Sequence, residues 1–224
     1  MKNSAPFFLN MAQRTVHYAL GERLIGCGVH DPNRFRMGNL LPDAYEGGAE
    51  IRRATHFIRP IENGEMTRYC DFEAFRARFA RKVSEDDLYL GYYLHLIEDA
   101  LYRVFLMQKR VKANIRSAAD VSFLHEDYHL LNPYIVRRYG LKREVEPIPA
   151  FEREEIRRVH PFRQEAVLEG LASDFEERRT GKTVFMTERL TDEFIDAATR
   201  PCADALTRIL QARPPVESMR YCWK

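Results

Sequence analysis

Two residues of the segment 90–99, which reads LGYYLHLIED, could bind a metal ion together. His95 and Asp99 are four residues apart, so in a helix they lie about one turn apart on the same face. An imidazole and a carboxylate in this arrangement can reach one divalent ion. The residues around them are apolar, and such surroundings are costly for a charge that is neither paired nor bound to a metal. The segment therefore predicts either a metal site or a buried His–Asp contact within a helix.

Three residues earlier in the chain have side chains of the same chemical types. His17 lies in a predicted helix over 11–28, and Asp43 ends the segment 37–43, which reads MGNLLPD. His56 lies between a threonine and a phenylalanine in a THF sequence. Each of the three, taken alone, is more typical of an ordinary helix, turn or loop residue. Together with the HxxxD pair they supply three imidazoles and two carboxylates.

Such a set of ligands suits zinc, and also iron, manganese or nickel. Five ligands exceed what a structural tetrahedral zinc needs, so they fit either a site with several metals or an open catalytic site that leaves room for water. This chemistry favours a metal-dependent hydrolase. In that hypothesis Asp43 is both a ligand and the base that orients the attacking water.

The order of these motifs resembles that of bacterial proteins related to zinc-dependent phospholipase C and to the single-strand-specific zinc nucleases. The resemblance covers residues 10–135 and implies an all-α, multi-helix bundle of the phospholipase C and zinc nuclease type. It also implies that the metal ligands are His17, Asp43, His56, His95 and Asp99. Those proteins have a second His shortly after the HxxxD pair and a later HxxxE pair, and this sequence has no clear match to either. One or two divalent ions, most readily zinc, are therefore expected instead of three.

A second polar cluster lies in the segment 124–132, which reads LHEDYHLLN. His125, His129 and Asn132 share one flank of the predicted helix, with His125 and Asn132 the stronger candidates. They are expected to complete a second metal site, to bind substrate or to orient the first imidazoles, unless they are simply solvated polar residues. Asp127 points elsewhere on an ideal helix, but the resemblance implies a D-Y-x-x-x-N pattern here and keeps it as a candidate.

Three arginines are candidates for binding a substrate phosphate, although each is also a typical surface residue. Arg52 and Arg53 precede His56, and Arg103 lies one turn after Asp99. The expected partner is accordingly a small phosphoester.

Two alternatives to a hydrolase remain open at this stage. One is a degenerate metal-binding helical protein that binds a small ligand or a partner without turnover. The other is a structural helical protein in which the His–Asp pair is only a buried contact. The HD phosphohydrolases are a weak match, because the sole His-Asp dipeptide, His30-Asp31, is predicted in a turn.

Length and composition set further limits. The 224 residues predict one domain over 1–224, with the motifs within 10–135 and further helices within 151–213. A balance of 35 basic and 33 acidic residues gives no nucleic-acid signature. No apolar run approaches the ~18 residues of a membrane helix, and the N-terminal apolar run is too short for a secretion signal. The four scattered cysteines form no CxxC pair, so a reducing, cytoplasmic setting is expected.

Periodicity and capping signals predict the elements that position these residues. Asp71, Ser84 and Thr191 are the predicted N-caps of three helices. Pro133 is expected to kink or split its helix and Pro201 to interrupt the last one. The predicted helices cover residues 11–28, 72–82, 85–111, 115–139, 151–179 and 191–212.

Turn signals dominate the segment 29–70, which contains three prolines and several glycines. It is therefore predicted as a long irregular region. A region of this kind inside a compact domain is often functional. The stretch 181–187 is predicted as a short strand or an extended loop.

Overall fold

The protein is described by a computed structural model that covers residues 12–62 and 66–223. In these residues ten α-helices and two short strands confirm the prediction of a mostly helical fold. The elements in chain order are α1 (Arg14–Leu24), α2 (Pro32–Leu40), α3 (Ala49–Thr55), β1 (Ile58–Pro60), β2 (Arg68–Cys70), α4 (Phe72–Arg78), α5 (Ala80–Glu85), α6 (Asp87–Gln108), α7 (Val111–Asn114), α8 (Ala118–Arg138), α9 (Gln164–Glu176) and α10 (Glu188–Leu210).

The helix α6 forms the centre of the fold. Helices α1, α2, α5 and α10 all pack against it, and every residue of the segment 90–99 is buried. A helix that is apolar on all sides is typical of a protein core. The polar side chains on α6 are therefore withdrawn from water, and they need partners inside the protein.

Two glycines allow α2 and α6 to touch through their backbones. A Cβ atom at Gly38 would lie 1.9 Å from the carbonyl oxygen of Leu88, and one at Gly91 would lie 2.1 Å from that of Phe35. Neither position has room for a side chain. This close approach places the end of α2, which carries Asn39, directly beside the middle of α6.

The helix caps agree with the sequence prediction at one of the three positions. Asp71 is confirmed as an N-cap, because its side chain accepts a hydrogen bond from the backbone of Ala74. The prediction for Ser84 is wrong: Asp86 caps α6, and the Ser84 hydroxyl donates to a carbonyl within α5. The prediction for Thr191 is also wrong, since α10 begins one turn earlier, capped by Thr187.

The segment 29–70 contains more regular structure than its turn residues predict. Asp31 caps α2, with Pro32 as the first helical residue, a position where proline fits a helix. Pro42 lies in a three-ten turn, Leu41–Asp43, and β1 pairs antiparallel with β2, so that Ile58 faces Cys70. The prolines and glycines here start and end short elements instead of preventing them.

The remaining predictions for the second half of the chain have mixed outcomes. Helices α8 and α10 continue through Pro133 and Pro201, so neither proline splits its helix. The stretch 181–187 forms a loop without a strand.

In the described parts of the chain, no helix combines the length and apolar composition that a membrane span requires.

Candidate metal centre

The five residues predicted as metal ligands lie together at the centre of the fold. His17 comes from α1, Asp43 from the turn after α2, and His56 from the residue after α3, while His95 and Asp99 lie on α6. The side chain of Asp43 is 21% exposed and the other four are fully buried. Residues far apart in sequence therefore meet at one point, and one of them reaches solvent.

The separations between their inward-facing atoms fit coordination to one ion. Two ligands that each lie about 2.0–2.2 Å from one ion at tetrahedral angles are about 3.3–3.6 Å apart. His17, Asp43 and His95 form one group of candidate ligands, and His56, His95 and Asp99 form another. The measured separations are His56 Nε2–Asp43 Oδ1 3.1 Å, His56 Nε2–His95 Nε2 3.3 Å, His17 Nε2–Asp99 Oδ1 3.4 Å, His56 Nε2–Asp99 Oδ2 3.6 Å and His95 Nε2–Asp99 Oδ2 3.6 Å.

The opposite ring nitrogen of each histidine faces a hydrogen-bond acceptor. Metal-bound histidines in proteins use their other N–H in this way, and the contact fixes both the tautomer and the ring orientation. In this protein these contacts orient the Nε2 atom of each histidine towards the middle of the cluster. The contacts are His17 Nδ1 to Glu98 Oε2 at 2.6 Å, His95 Nδ1 to the Asn39 carbonyl at 2.7 Å and His56 Nδ1 to the Arg52 carbonyl at 3.1 Å.

Two atoms that face the centre are buried without a hydrogen bond. They are Nε2 of His17 and Oδ2 of Asp99, and neither has a hydrogen-bond partner among the described residues. The other carboxylate oxygen of Asp99 accepts the backbone N–H of Ala12 at 3.1 Å. A buried polar atom without a partner costs about 1–3 kcal/mol, and a cation between these two atoms would remove that cost.

The carboxylates of the centre favour a positive charge. Burial lowers the pKa of His17, but the carboxylates of Asp99 and Glu98 outweigh burial and raise it to about 10. Burial and the charge of His17 lower the pKa of His95 to about 3. The pKa values of Asp43 and Asp99 are lowered, because the surrounding imidazoles outweigh the effect of burial.

Sequence reasoning missed two residues that support the centre. Glu98 is fully buried. Its Oε2 accepts a hydrogen bond from His17 Nδ1 and another, at 3.0 Å, from the side-chain amide of Asn39. Asn39 also offers its carbonyl to His95. A signal for Glu98 was present, because a second acidic residue beside Asp99 in an apolar helix requires a partner. The role of Asn39 depends on its backbone, which no side-chain pattern reveals.

An open cleft of about 430 Å³ borders the centre. Of the five candidate ligands, Asp43 alone lines it. The lining also includes Arg14, Tyr45, Arg52 and Tyr128. A small molecule in the cleft would therefore meet the centre through Asp43.

The predicted second cluster on α8 does not join the five residues. Asn132 belongs to the wall of the cleft, where its Oδ1 accepts the hydroxyl of Thr15 at 2.7 Å and the amide of Gln13 at 3.0 Å. His125 lies beside Tyr128, with ring centroids 6.3 Å apart. Asn132 thus belongs to the cleft, and His125 lies next to Tyr128, a residue of its wall.

Asp127 has a structural role, contrary to the role in metal or substrate binding expected from sequence. Its buried carboxylate accepts the backbone N–H groups of Val184, Phe185 and Met186 at 2.6–2.8 Å. It faces away from the cluster because its position on the helix differs from that of His125 and Asn132. The residue anchors the loop before α10 to α8.

This anchoring leads to a prediction for stability. Replacing Asp127→Ala is expected to lower the free energy of unfolding by about 2–4 kcal/mol, because three backbone N–H donors, that of Met186 buried, lose a charged acceptor. Urea unfolding would measure the change. The neighbouring Glu126 is half exposed and pairs with Arg179 on the surface, so Glu126→Ala is the matched control and should cost less than about 1 kcal/mol. Equal losses in the two variants would contradict the anchoring role.

No family model, curated protein sequence or solved structure matches this chain.

Proposed function

We propose that this protein is a metal-dependent hydrolase that acts on a phosphoester, and that its motif order reflects membership of the phospholipase C and zinc nuclease superfamily. The main support is the buried centre of three imidazoles and two carboxylates next to an open cleft. Two atoms of this centre, His17 Nε2 and Asp99 Oδ2, have no hydrogen-bond partner among the described residues. When bound there, a divalent ion would lower the pKa of a coordinated water towards neutrality and neutralise charge on a phosphoryl oxygen.

The hydrogen bonds of His95 favour a single ion. Its Nδ1–H donates to the Asn39 carbonyl, so only Nε2 is left to bind a metal, and its one lone pair serves one ion. Both groups of candidate ligands contain His95. We therefore assign one ion to the centre, such as zinc, iron, manganese or nickel, with its ligands drawn from these two groups.

The protein's own residues then have distinct roles. Glu98 and the backbone carbonyls of Asn39 and Arg52 orient the imidazoles, and full burial keeps bulk water away from four of the ligands. Asp43 connects the centre to the cleft. Its Oδ1 lies against His56, and we assign to Oδ2 the acceptance of the proton from the attacking water.

The test combines metal content with turnover. Purified protein is expected to contain about one divalent ion per chain and to hydrolyse a member of a panel of phosphomonoesters and phosphodiesters. Asp43→Asn is expected to lower kcat by about 10²–10⁴-fold, because the amide is not a base. The control is Asp196→Asn, a largely exposed carboxylate that pairs with Arg23, and its kcat should be unchanged. Turnover by metal-free protein, or an unaffected Asp43→Asn variant, would contradict the proposal.

A non-catalytic metal-binding protein is the second candidate. The burial of four of the five ligands favours it, because catalysis requires substrate to approach the ion. A wild-type protein that holds one ion but hydrolyses no member of the panel would support this candidate over the hydrolase.

A further inference from the structure

The cleft that borders the centre is lined mainly by polar side chains. Among its lining residues, Ala12 and Gly47 alone lack a polar side chain. The acyl chain of a lipid gains its binding energy from apolar surface, and this cleft offers little of it. The expected occupant is therefore a hydrophilic molecule.

Four of these residues form a connected hydrogen-bond network, which we call the polar wall: Gln13, Arg14, Asn132 and Asp174. Nη1 of Arg14 donates to Oδ2 of Asp174 at 2.6 Å, and the amide of Asn132 donates to Oδ1 of the same carboxylate at 3.1 Å. The amide of Gln13 donates to Oδ1 of Asn132 at 3.0 Å. The network connects α1, α8 and α9, so its groups are oriented by the protein before a ligand binds.

A glycine on α9 makes room for the guanidinium of Arg14. A Cβ atom at Gly170 would lie 2.6 Å from Cζ, 2.7 Å from Nη2 and 2.8 Å from Nη1 of that arginine. Gly170 precedes Asp174 by four residues, so both lie on the same face of α9. A glycine inside a helix is destabilising relative to alanine. At this position it allows the guanidinium to pack against the helix backbone beside its carboxylate partner.

The polar wall offers donors and acceptors without a net charge. Arg14 and Asp174 neutralise each other, and their side chains are 25% and 12% exposed. Among the described residues, Asp174 is the hydrogen-bond partner of the Arg14 side chain, through Nη1, so Nε and Nη2 remain able to donate. Each carboxylate oxygen of Asp174 has a further lone pair that can accept.

A group with several hydroxyls matches this combination. A hydroxyl is both a donor and an acceptor, and neighbouring hydroxyls on a ring present both roles side by side. A guanidinium and a carboxylate in direct contact offer the complementary pair. An anionic group would meet the charge of Asp174 together with that of Arg14, so it would gain little net attraction from the wall.

We infer that the polar wall binds the alcohol portion of the substrate, and that this portion is a neutral group with several hydroxyls, such as a sugar or a cyclic polyol. The inference rests on the proposed function, since it specifies the substrate class of the same cleft as phosphoesters of polyhydroxylated alcohols. The cleft volume of about 430 Å³ lies within the range of small-molecule sites. A ligand on the polar wall shares this cleft with Asp43, the candidate metal ligand in its lining.

The test uses neutral probes, because hydrolysis cannot consume them. Inositol, glucose, ribose and glycerol are titrated into the purified protein, with and without chelator treatment, and binding is followed by saturation-transfer NMR. Cyclohexanol is the comparison, since it has the ring of inositol with a single hydroxyl. We expect at least one polyol to bind about tenfold or more tightly than cyclohexanol, because a site that hydrogen-bonds hydroxyls rejects an analogue that lacks them.

Three variants examine the wall itself. Arg14→Gln and Asp174→Asn are each expected to weaken binding of the preferred polyol by about tenfold, since a hydrogen bond to a charged group is lost. Gly170→Ala removes no polar group but displaces the guanidinium, and it should weaken binding as well. The matched control is Arg23→Gln on the same helix, because Arg23 pairs with Asp196 at the surface, and it should bind like the wild type.

The outcomes separate this inference from the proposed function. Metal-dependent turnover without any preference for polyols over cyclohexanol would overturn the polar wall and leave the hydrolase standing. Polyol binding that depends on Arg14, in a protein without metal or turnover, would overturn the hydrolase and leave the polar wall standing. If Arg14→Gln and Asp174→Asn do not fold, Gly170→Ala decides, since wild-type polyol affinity in that folded variant would overturn the assignment. Binding to phosphatidic acid vesicles in place of polyols would also overturn it.

Discussion

A His95→Ala variant is expected to lose its divalent ion while it retains its helical structure. His95 belongs to both groups of candidate ligands, so its loss removes a ligand from each of them. Removing the outer partner of a ligating histidine already costs about 10–100-fold in metal affinity, and removing the ligand itself should cost more. Elemental analysis of the purified variant, followed by zinc titration, measures the loss.

The matched control for this variant is His30→Ala. His30 is exposed and lies outside the cluster, so its replacement should leave the metal content unchanged. Because an alanine at position 95 also leaves a cavity at a fully buried site, His95→Gln provides a second variant that keeps most of the volume. Full metal occupancy in both variants would contradict the assignment of His95 as a ligand.

The same experiment distinguishes a metal centre from a purely structural cluster. A bound ion stabilises the folded state by mass action, so chelator should lower the Tm of the wild type but not that of His95→Ala. A wild-type Tm that does not respond to chelator, in protein that also contains no metal, would favour the structural helical protein instead.

A Gly91→Ala variant is expected to lower the free energy of unfolding by about 3–5 kcal/mol. Its Cβ would lie 2.1 Å from the carbonyl oxygen of Phe35 and 2.8 Å from the backbone nitrogen of Asn39. Both atoms belong to the backbone of α2, which cannot move aside as a side chain would. The two helices would have to separate, and urea unfolding would measure the cost.

Gly26→Ala is the matched control, because a Cβ at that position has no neighbour within 4 Å. It should change the free energy of unfolding by less than about 1 kcal/mol. The separation of α2 from α6 would also displace the Asn39 carbonyl from His95, so Gly91→Ala should bind metal more weakly than the control. Equal stability and equal metal affinity in the two variants would contradict the close approach of the helices.

Local features were predicted from sequence where local chemistry decides them. The cap at Asp71 and the mostly helical class follow from short-range hydrogen bonding and from the period of apolar residues. The errors at Ser84 and Thr191 arose because a better-placed Asp86 or Thr187 nearby caps the same helix. The segment 29–70 has more regular structure than its composition predicts, since proline and glycine mark the ends of short elements as well as loops.

The sequence by itself determined the types of the five candidate ligands and the placement of His95 and Asp99 on one helix face, because helix geometry is local. Only the tertiary structure decided which groups support them. His17 meets Glu98 across 81 residues, and His95 meets the Asn39 carbonyl across 56. Asp127 faces a distant loop, whereas Asp43 lines an open cleft. Contacts of this kind depend on how the helices pack, and above all on the two glycines that bring α2 against α6.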